Sequence, residues 1–283
     1  SVREDHFAYK EYDTVPPQLS FSLNQTNTGF SQLKKIGISE KDWWVCFHVR
    51  DSQYLKKLYK NKDMSYHDYR DFSEESLHEG VIEVTKRGGF AILMSEKDKS
   101  PKFKNNDLVV QYNKNTFKSD FLDIFLAANA KFFIGSSSGL TTVPKILGTP
   151  VGVSNQIGFN FLLNQKKSLM IFKKLFDTKN NKILTYDNIL EIGLFDKQKG
   201  HDLNTTKYLT ERNLKAIENN SAEIIGLVRD MFDIVEKKNK IKYEVDLQNN
   251  FKKLFYSRHE NIDLAGNIAP SFIKLNSNLF TNL

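Results

Sequence analysis

Between residues 43 and 153 the chain alternates short, unbroken apolar runs with longer amphipathic segments, and this alternation restricts the fold more than anything else in the sequence. The runs at 43–49, 90–94, 108–112, 131–135 and 150–153 are apolar, aromatic or β-branched at nearly every position. A strand of that kind is buried on both faces, as in a parallel sheet covered by helices. Residues 72–87 read as a helix, with Ser73 as its cap, Glu74 and Glu75 in the first turn and Leu77, Val81 and Val84 on one face. Gly88 and Gly89 close it. Residues 119–130 read likewise, with Asp120 and Asp123 near the start and Phe121, Ile124, Phe125 and Ala128 on one face. A further helix runs to about Leu147, and Pro144 places its start near Thr142. Residues 221–237 form another, capped by Ser221. Strands alternating with helices predict an α/β fold with a parallel sheet and right-handed crossovers.

This Rossmann-like domain is expected over residues 41–240. Residues 1–40 are polar and read as irregular, with Pro16-Pro17 and the run from Asn24 to Thr28 as loop. Residues 51–71 read as a long polar loop, and 241–283 as a C-terminal helix and tail anchored by Phe251, Leu254 and Phe255. A chain of 283 residues leaves room for only a small or incomplete second domain, with residues 1–40 as its remnant.

An apolar content of 40% suffices for a packed core, so wholesale disorder is excluded. The net charge of +7 suits anionic ligands, but no nucleic-acid signature is present and no nucleic-acid partner is expected. Cys46 is the one cysteine, which rules out an intramolecular disulfide and favours a reducing compartment. His6, His48, His67, His78, His201 and His259 lack metal-ligand spacing, so no metal is expected. No apolar run of about 18 residues exists and no signal peptide is visible, so the expectation is a cytoplasmic protein, compatible with peripheral association at the inner face of a membrane.

Parallel sheets bind ligands outside the carboxyl ends of their strands. His48-Val49-Arg50 ends the first run, where a guanidinium can fork onto phosphate oxygens; a surface arginine and a satisfied core histidine are the plain alternative. Gly135-Ser136-Ser137-Ser138-Gly139 links the fourth run to a helix. Small residues there admit a phosphate to free amides, although an ordinary turn has the same composition. Asp123 is a further candidate, unless it only complements a helix dipole. The loop after Arg50 carries Asp51, Tyr54, His67, Tyr69, Arg70 and Asp71 and can close over a ligand and supply a general base; a plain solvated loop is the alternative.

Residues 46–51, Cys46-Phe47-His48-Val49-Arg50-Asp51, resemble the H-x-R segment of GDP-fucose-dependent fucosyltransferases of the α1,6 and protein O-fucosyl kinds. Residues 119–139 resemble their later donor segment, in which an acidic helix leads into an apolar strand and a Ser-rich turn. The chain is more closely similar to a bacterial family of GT-B glycosyltransferases that share H-V-R-D, a later Y-R and F-F-I-G-x-S-S-G-L-x-x-V-P. The resemblance implies a GT-B donor domain. Arg50 would bind the donor's β-phosphate, and His48 and Asp123 the nucleoside. Ser136, Ser137, Ser138 and the Gly139 amide would line the phosphate turn. It implies an inverting, metal-independent transfer from a nucleotide-sugar co-substrate, a GDP-sugar favoured, to a glycan, lipid-linked or protein acceptor such as a surface polysaccharide, with no other cofactor. Asp51 stands where the α1,6-type enzymes carry a second arginine, and their base has no counterpart, so the base stays open among Asp51, His67 and Asp71. A non-catalytic nucleotide-sugar or glycan-binding module, or a nucleotide-sugar epimerase or hydrolase, would share the same phosphate site.

Overall fold

The computed structural model describes residues 15–17, 19–50, 59–60, 63, 65–95, 101–114, 116–157, 167–192, 206–236, 246–251, 253 and 267–280. The apolar runs form strands β1 (Trp44–Phe47), β2 (Phe90–Leu93), β3 (Val109–Gln111), β4 (Phe132–Gly135) and β5 (Val151–Gln156). Two more, β6 (Leu169–Phe172) and β10 (Asn267–Ile268), join them in a seven-stranded sheet of order β10-β6-β5-β4-β1-β2-β3. Every pairing in it is parallel. The chain builds outward from β1 through β2 to β3, then returns to the other side of β1 at β4. The strand order of the Rossmann fold is therefore present, and the direction of winding reverses between β1 and β4.

Side chains on β1 alternate between the two faces. Trp44 Nε1 and Cys46 Sγ both reach the Leu126 carbonyl of helix α3 (Asp120–Asn129), at 2.9 and 3.4 Å. On the opposite face Gly80, in α2 (His78–Lys86), lies against Phe47 and against Val228 of α7 (Ser221–Val235). Helix α4 (Gly139–Ile146) packs beside α3. Both sheet faces are thus covered, which is why β1, β2, β4 and β6 are almost wholly apolar, while β5 ends in the buried polar run Ser154–Gln156.

The helix after Phe72 is split. Ser73 caps a 3-10 turn, Glu74–Leu77, and the α-helix begins at His78. Asn220, not Ser221, caps α7, through a capping box with Glu223. Helix α4 starts at Gly139 rather than Thr142, and Pro144 sits inside it. The run from Asn24 to Thr28 is not loop: it lies in α1 (Leu23–Lys34), capped by Ser22 in a capping box with Gln25. Gly29 of α1 rests on the ring of Phe125.

Beyond β6 the chain enters a second sheet of order β8-β7-β9, formed by β7 (Lys174–Asp177), β8 (Lys182–Ile183) and β9 (Leu214–Ile217), all antiparallel. Helices α5 (Tyr186–Glu191) and α6 (Thr206–Glu211) lie between β8 and β9 in sequence. The last described stretch is more than a helix and tail. β10 extends the parallel sheet, and α8 (Pro270–Leu275) follows with Phe272 buried near Phe172. Among the described residues no helix is long and apolar enough to cross a membrane.

Candidate functional site

The carboxyl ends of β1 and β4 lie side by side at the point where the winding reverses. Phe47 is in register with Ile134, and the His48 amide donates to the Ile134 carbonyl at 2.9 Å. Gly135 is required by this closeness. A Cβ there would stand 2.8 Å from Phe133 Cε1, 3.0 Å from Thr141 Oγ1 and 3.6 Å from the His48 carbonyl oxygen. The turn that follows is held by hydroxyls. Thr141 donates to the Ser136 carbonyl at 2.6 Å, and Ser138 Oγ caps α4 while lying 3.0 Å from Thr141 Oγ1. Ser138 Oγ is also 3.4 Å from His48 Nδ1, which ties the turn to the end of β1. Ser136 is fully buried, and among the described residues its hydroxyl has no hydrogen-bond partner. Among the described residues nothing stands within 4 Å of the Cβ position of Gly139, the first residue of α4. Ser137 lies half-buried beside it.

His48 is held well below the ordinary imidazole value, at about 4, first by burial and then by the neighbouring charge of Arg50. At neutral pH it is an uncharged ring that can donate and accept. Arg50 is only 9% exposed, and its guanidinium forms an ion pair with the Asp71 carboxylate. The sequence suggested a cation facing the ligand and a loop carboxylate available as a base. In the structure each is the other's partner. A buried guanidinium without a counter-charge would be costly, so the pairing is physically expected.

The other expected site residues fall in different places. Asp51 lies outside the described residues. His67 is in the 3-10 turn Ser65–Arg70, and its side chain lies outside the description. Asp123 is in the first turn of α3, where Tyr112 hydrogen-bonds to its carboxyl group and burial lifts the Tyr112 phenol above its usual value. Its charge also helps raise the buried Cys46 thiol, after the larger effect of burial. The second oxygen, Oδ1, is buried without a hydrogen bond among the described residues. The described interactions of Asp123 are therefore with Tyr112 and Cys46 rather than with the Arg50 group.

Sequence reasoning missed Lys173. It is the single residue between β6 of the parallel sheet and β7 of the antiparallel one, and it is 5% exposed. Its Nζ donates to the Asp71 carbonyl at 2.5 Å. Burial pulls it down to about 8, with Glu218 and Asp71 acting in the opposite direction and Arg50 adding to the lowering. No local signal marks it, because lysines are common throughout the chain. The apolar run Leu169–Phe172 just before it was the available clue to a strand end.

Arg50, Lys173, Asp71 and Glu218 thus form one charged group, and His48, two residues before Arg50, meets the start of α4 through Ser138. Cations, helix N-terminal amides and a neutral imidazole are groups of the kind that bind phosphate. No protein-family model matches this chain, and no curated protein matches it. Among solved structures, the glycosyl transferase family 9 protein from Veillonella parvula aligns with 69% of this chain at a TM-score of 0.37 and 9% identity, and the chain spans 51% of that protein's length.

Proposed function

We propose that the protein is a glycosyltransferase that takes a sugar from a nucleoside-diphosphate donor, a GDP-sugar such as GDP-fucose being favoured. The observation that carries the reading is the contact of His48 with Ser138 of the Ser136–Gly139 turn at the reversal point between β1 and β4, with Arg50 two residues beyond His48. Ligands of open parallel sheets sit at that point. The resemblance of residues 46–51 and 119–139 to donor-binding segments supplies the choice of a nucleotide sugar.

Transfer forms a bond from an acceptor oxygen to the anomeric carbon, on the face opposite the leaving group. The bond to the diphosphate oxygen breaks, and its electron pair leaves with the diphosphate. Negative charge grows on that group, so fixed cations and amide dipoles facing it stabilise the transition state more than the ground state. Arg50 and the first amides of α4 take this role, and His48 and Ser138 contact the nucleotide. The incoming diphosphate competes with the Asp71 carboxylate for the guanidinium. The acceptor's proton goes to a base among Asp51, His67 and Asp71. Because Asp71 is tied to Arg50 in the structure, a second reading has some support: a module that binds nucleotide sugars without turning them over.

A thermal-shift panel of GDP, UDP, CMP and their sugars tests the reading, since a ligand selective for the folded state raises its apparent stability. A specific response to GDP, followed by sugar transfer from GDP-fucose, supports it. Arg50→Ala is expected to lower the transfer rate more than about 100-fold, the scale for losing one charge-stabilising donor. Near-wild-type turnover in that variant would remove Arg50 from the mechanism. Tight GDP-sugar binding without turnover would select the second reading.

A further inference from the structure

We infer that Lys173 is a positioning residue of the anion site: by holding the main chain at Asp71 it fixes the carboxylate that orients Arg50. The inference rests on the nucleotide-sugar reading for its ligand but on geometry alone for the positioning. Lys173 is buried at the junction of the two sheets, and its described hydrogen bond is to a neutral carbonyl, that of Asp71. A buried ammonium aimed at one main-chain oxygen is a poor way to gain stability, because its desolvation is only partly offset. It is an effective way to fix that oxygen, because the donor is charged and the bond strong.

The segment it grips has no sheet of its own to hold it. The main chain from Ser65 to Ser73 closes a 3-10 turn of its own, with the Asp71 amide donating to the Asp68 carbonyl at 2.9 Å, and is also tied by side chains of other elements. The Tyr69 amide donates to Thr206 Oγ1 at 3.3 Å, Thr206 Oγ1 donates to the Ser65 carbonyl at 3.2 Å, and the Ser73 amide donates to Glu218 Oε2 at 2.8 Å. Those three ties lead to α6 and to the end of β9, on the side of the antiparallel sheet. Lys173 is a tie from another element that reaches the Asp71 main chain itself, and Asp71 is where the segment meets the Arg50 guanidinium. Removing the ammonium takes this tie from the Asp71 main chain and leaves the carboxylate that pairs with Arg50 less firmly placed.

Charge adds a second consequence. The groups facing Lys173 are Arg50 from the end of β1, Asp71 from the segment before α2, and Glu218 from the end of β9. With Lys173 protonated the group holds two cations against two carboxylates. As the ammonium loses its proton near pH 8, the positive charge available to an anion falls by one, and anion affinity falls with it.

The test uses the whole chain with Lys173→Met, Lys173→Gln and Lys173→Arg. Without ligand, hydrogen exchange over residues 65–73 is expected to be faster in Lys173→Met and Lys173→Gln and restored in Lys173→Arg. Unchanged protection in folded Lys173→Met and Lys173→Gln overturns the inference, whatever binds. With GDP as probe, calorimetry at pH 7 is expected to give about tenfold weaker binding in Lys173→Met, the scale for a hydrogen bond to a charged group. Wild-type affinity is expected to fall between about pH 7 and 9 while Lys173→Arg stays flat, because arginine keeps its proton throughout. Matching affinities and pH profiles in wild type and Lys173→Met also overturn the inference. If wild type binds no nucleotide while exchange still responds to Lys173→Met, the positioning role stands and the nucleotide-sugar reading fails.

Discussion

At the scale of single residues, the site depends on keeping polar groups half-hidden at a strand end. His48 shows the energetic consequence. Its folded-state value of about 4 lies below the ordinary value of 6.5, so between those two pH values the unfolded chain binds a proton that the folded chain refuses. Stability from this group is therefore complete above about pH 6.5 and is lost as pH falls towards 4. From pH 7 to pH 5 the loss is on the order of 2 kcal/mol. His48→Gln removes the titration, so it is expected to lose less stability than wild type over the same interval. Denaturant unfolding of both proteins at pH 7 and pH 5 reads the difference directly, and carboxylates common to both cancel. Equal losses would mean that the ring is open to water and protonates normally.

At the scale of elements, legibility followed burial. The runs between residues 43 and 153 became strands of the parallel sheet, and the central ones are the most continuously buried, while β3 at the edge is half-exposed. The Ser73 cap was likewise visible as a hydroxyl ahead of an acidic turn. Helix α1 was not, because its exposed face is filled with Asn, Thr and Gln, which favour loops on composition alone. The Ser22–Gln25 capping box was the signal that outweighed it. The antiparallel strands are short and half-exposed, and β10 is two residues long, so neither leaves a periodic trace. In the candidate site, His48 and the Ser-rich turn were readable because they adjoin strands. The pairing of Arg50 with Asp71 joins residues separated by a segment with no periodic pattern, and sequence spacing carries no information about it.

Helix α1 also offers a test of its own packing. A Cβ at Gly29 would stand 2.4–2.6 Å from three atoms of the Phe125 ring. That ring is fully buried and fenced by Phe21 and Phe30 at centroid distances of 5.2 and 5.4 Å, so it has nowhere to move. Alanine would gain about 1 kcal/mol of helix propensity over glycine. Overpacking a core contact costs about 1–3 kcal/mol. With the ring boxed in, the packing loss is expected to win, and Gly29→Ala should destabilise the protein by about 1 kcal/mol in denaturant melts. A stabilised variant would show that α1 can slide away from α3.

At the scale of the whole molecule, the parallel sheet, the antiparallel sheet and the C-terminal elements meet at one carboxylate. Glu223, 2% exposed in the first turn of α7, accepts from Lys174 Nζ at 2.7 Å and from Asn276 Nδ2 at 2.9 Å through Oε1. Through Oε2 it accepts from the Asn220 amide at 3.0 Å and from Asn219 Nδ2 at 3.3 Å. Lys174 begins β7, Asn276 follows α8, and Asn219 exchanges side-chain-to-amide hydrogen bonds with Asn155 at the irregular end of β5. Truncating this side chain leaves the partly buried Lys174 ammonium without its counter-charge and frees several donors at once. Breaking a buried ion pair from one side costs about 3–5 kcal/mol, a large part of the stability of a typical domain. Glu223→Ala is therefore expected to lower the unfolding midpoint sharply, and to do so for both sheets together, because the lost contacts belong to all three parts. Glu223→Gln keeps the shape but not the charge and should fall between wild type and alanine. Near-ultraviolet circular dichroism and tryptophan fluorescence, followed through the same denaturant series, should give coincident transitions. A variant that lost one transition while keeping the other would mean that the two sheets fold as separate units and that Glu223 only decorates their boundary.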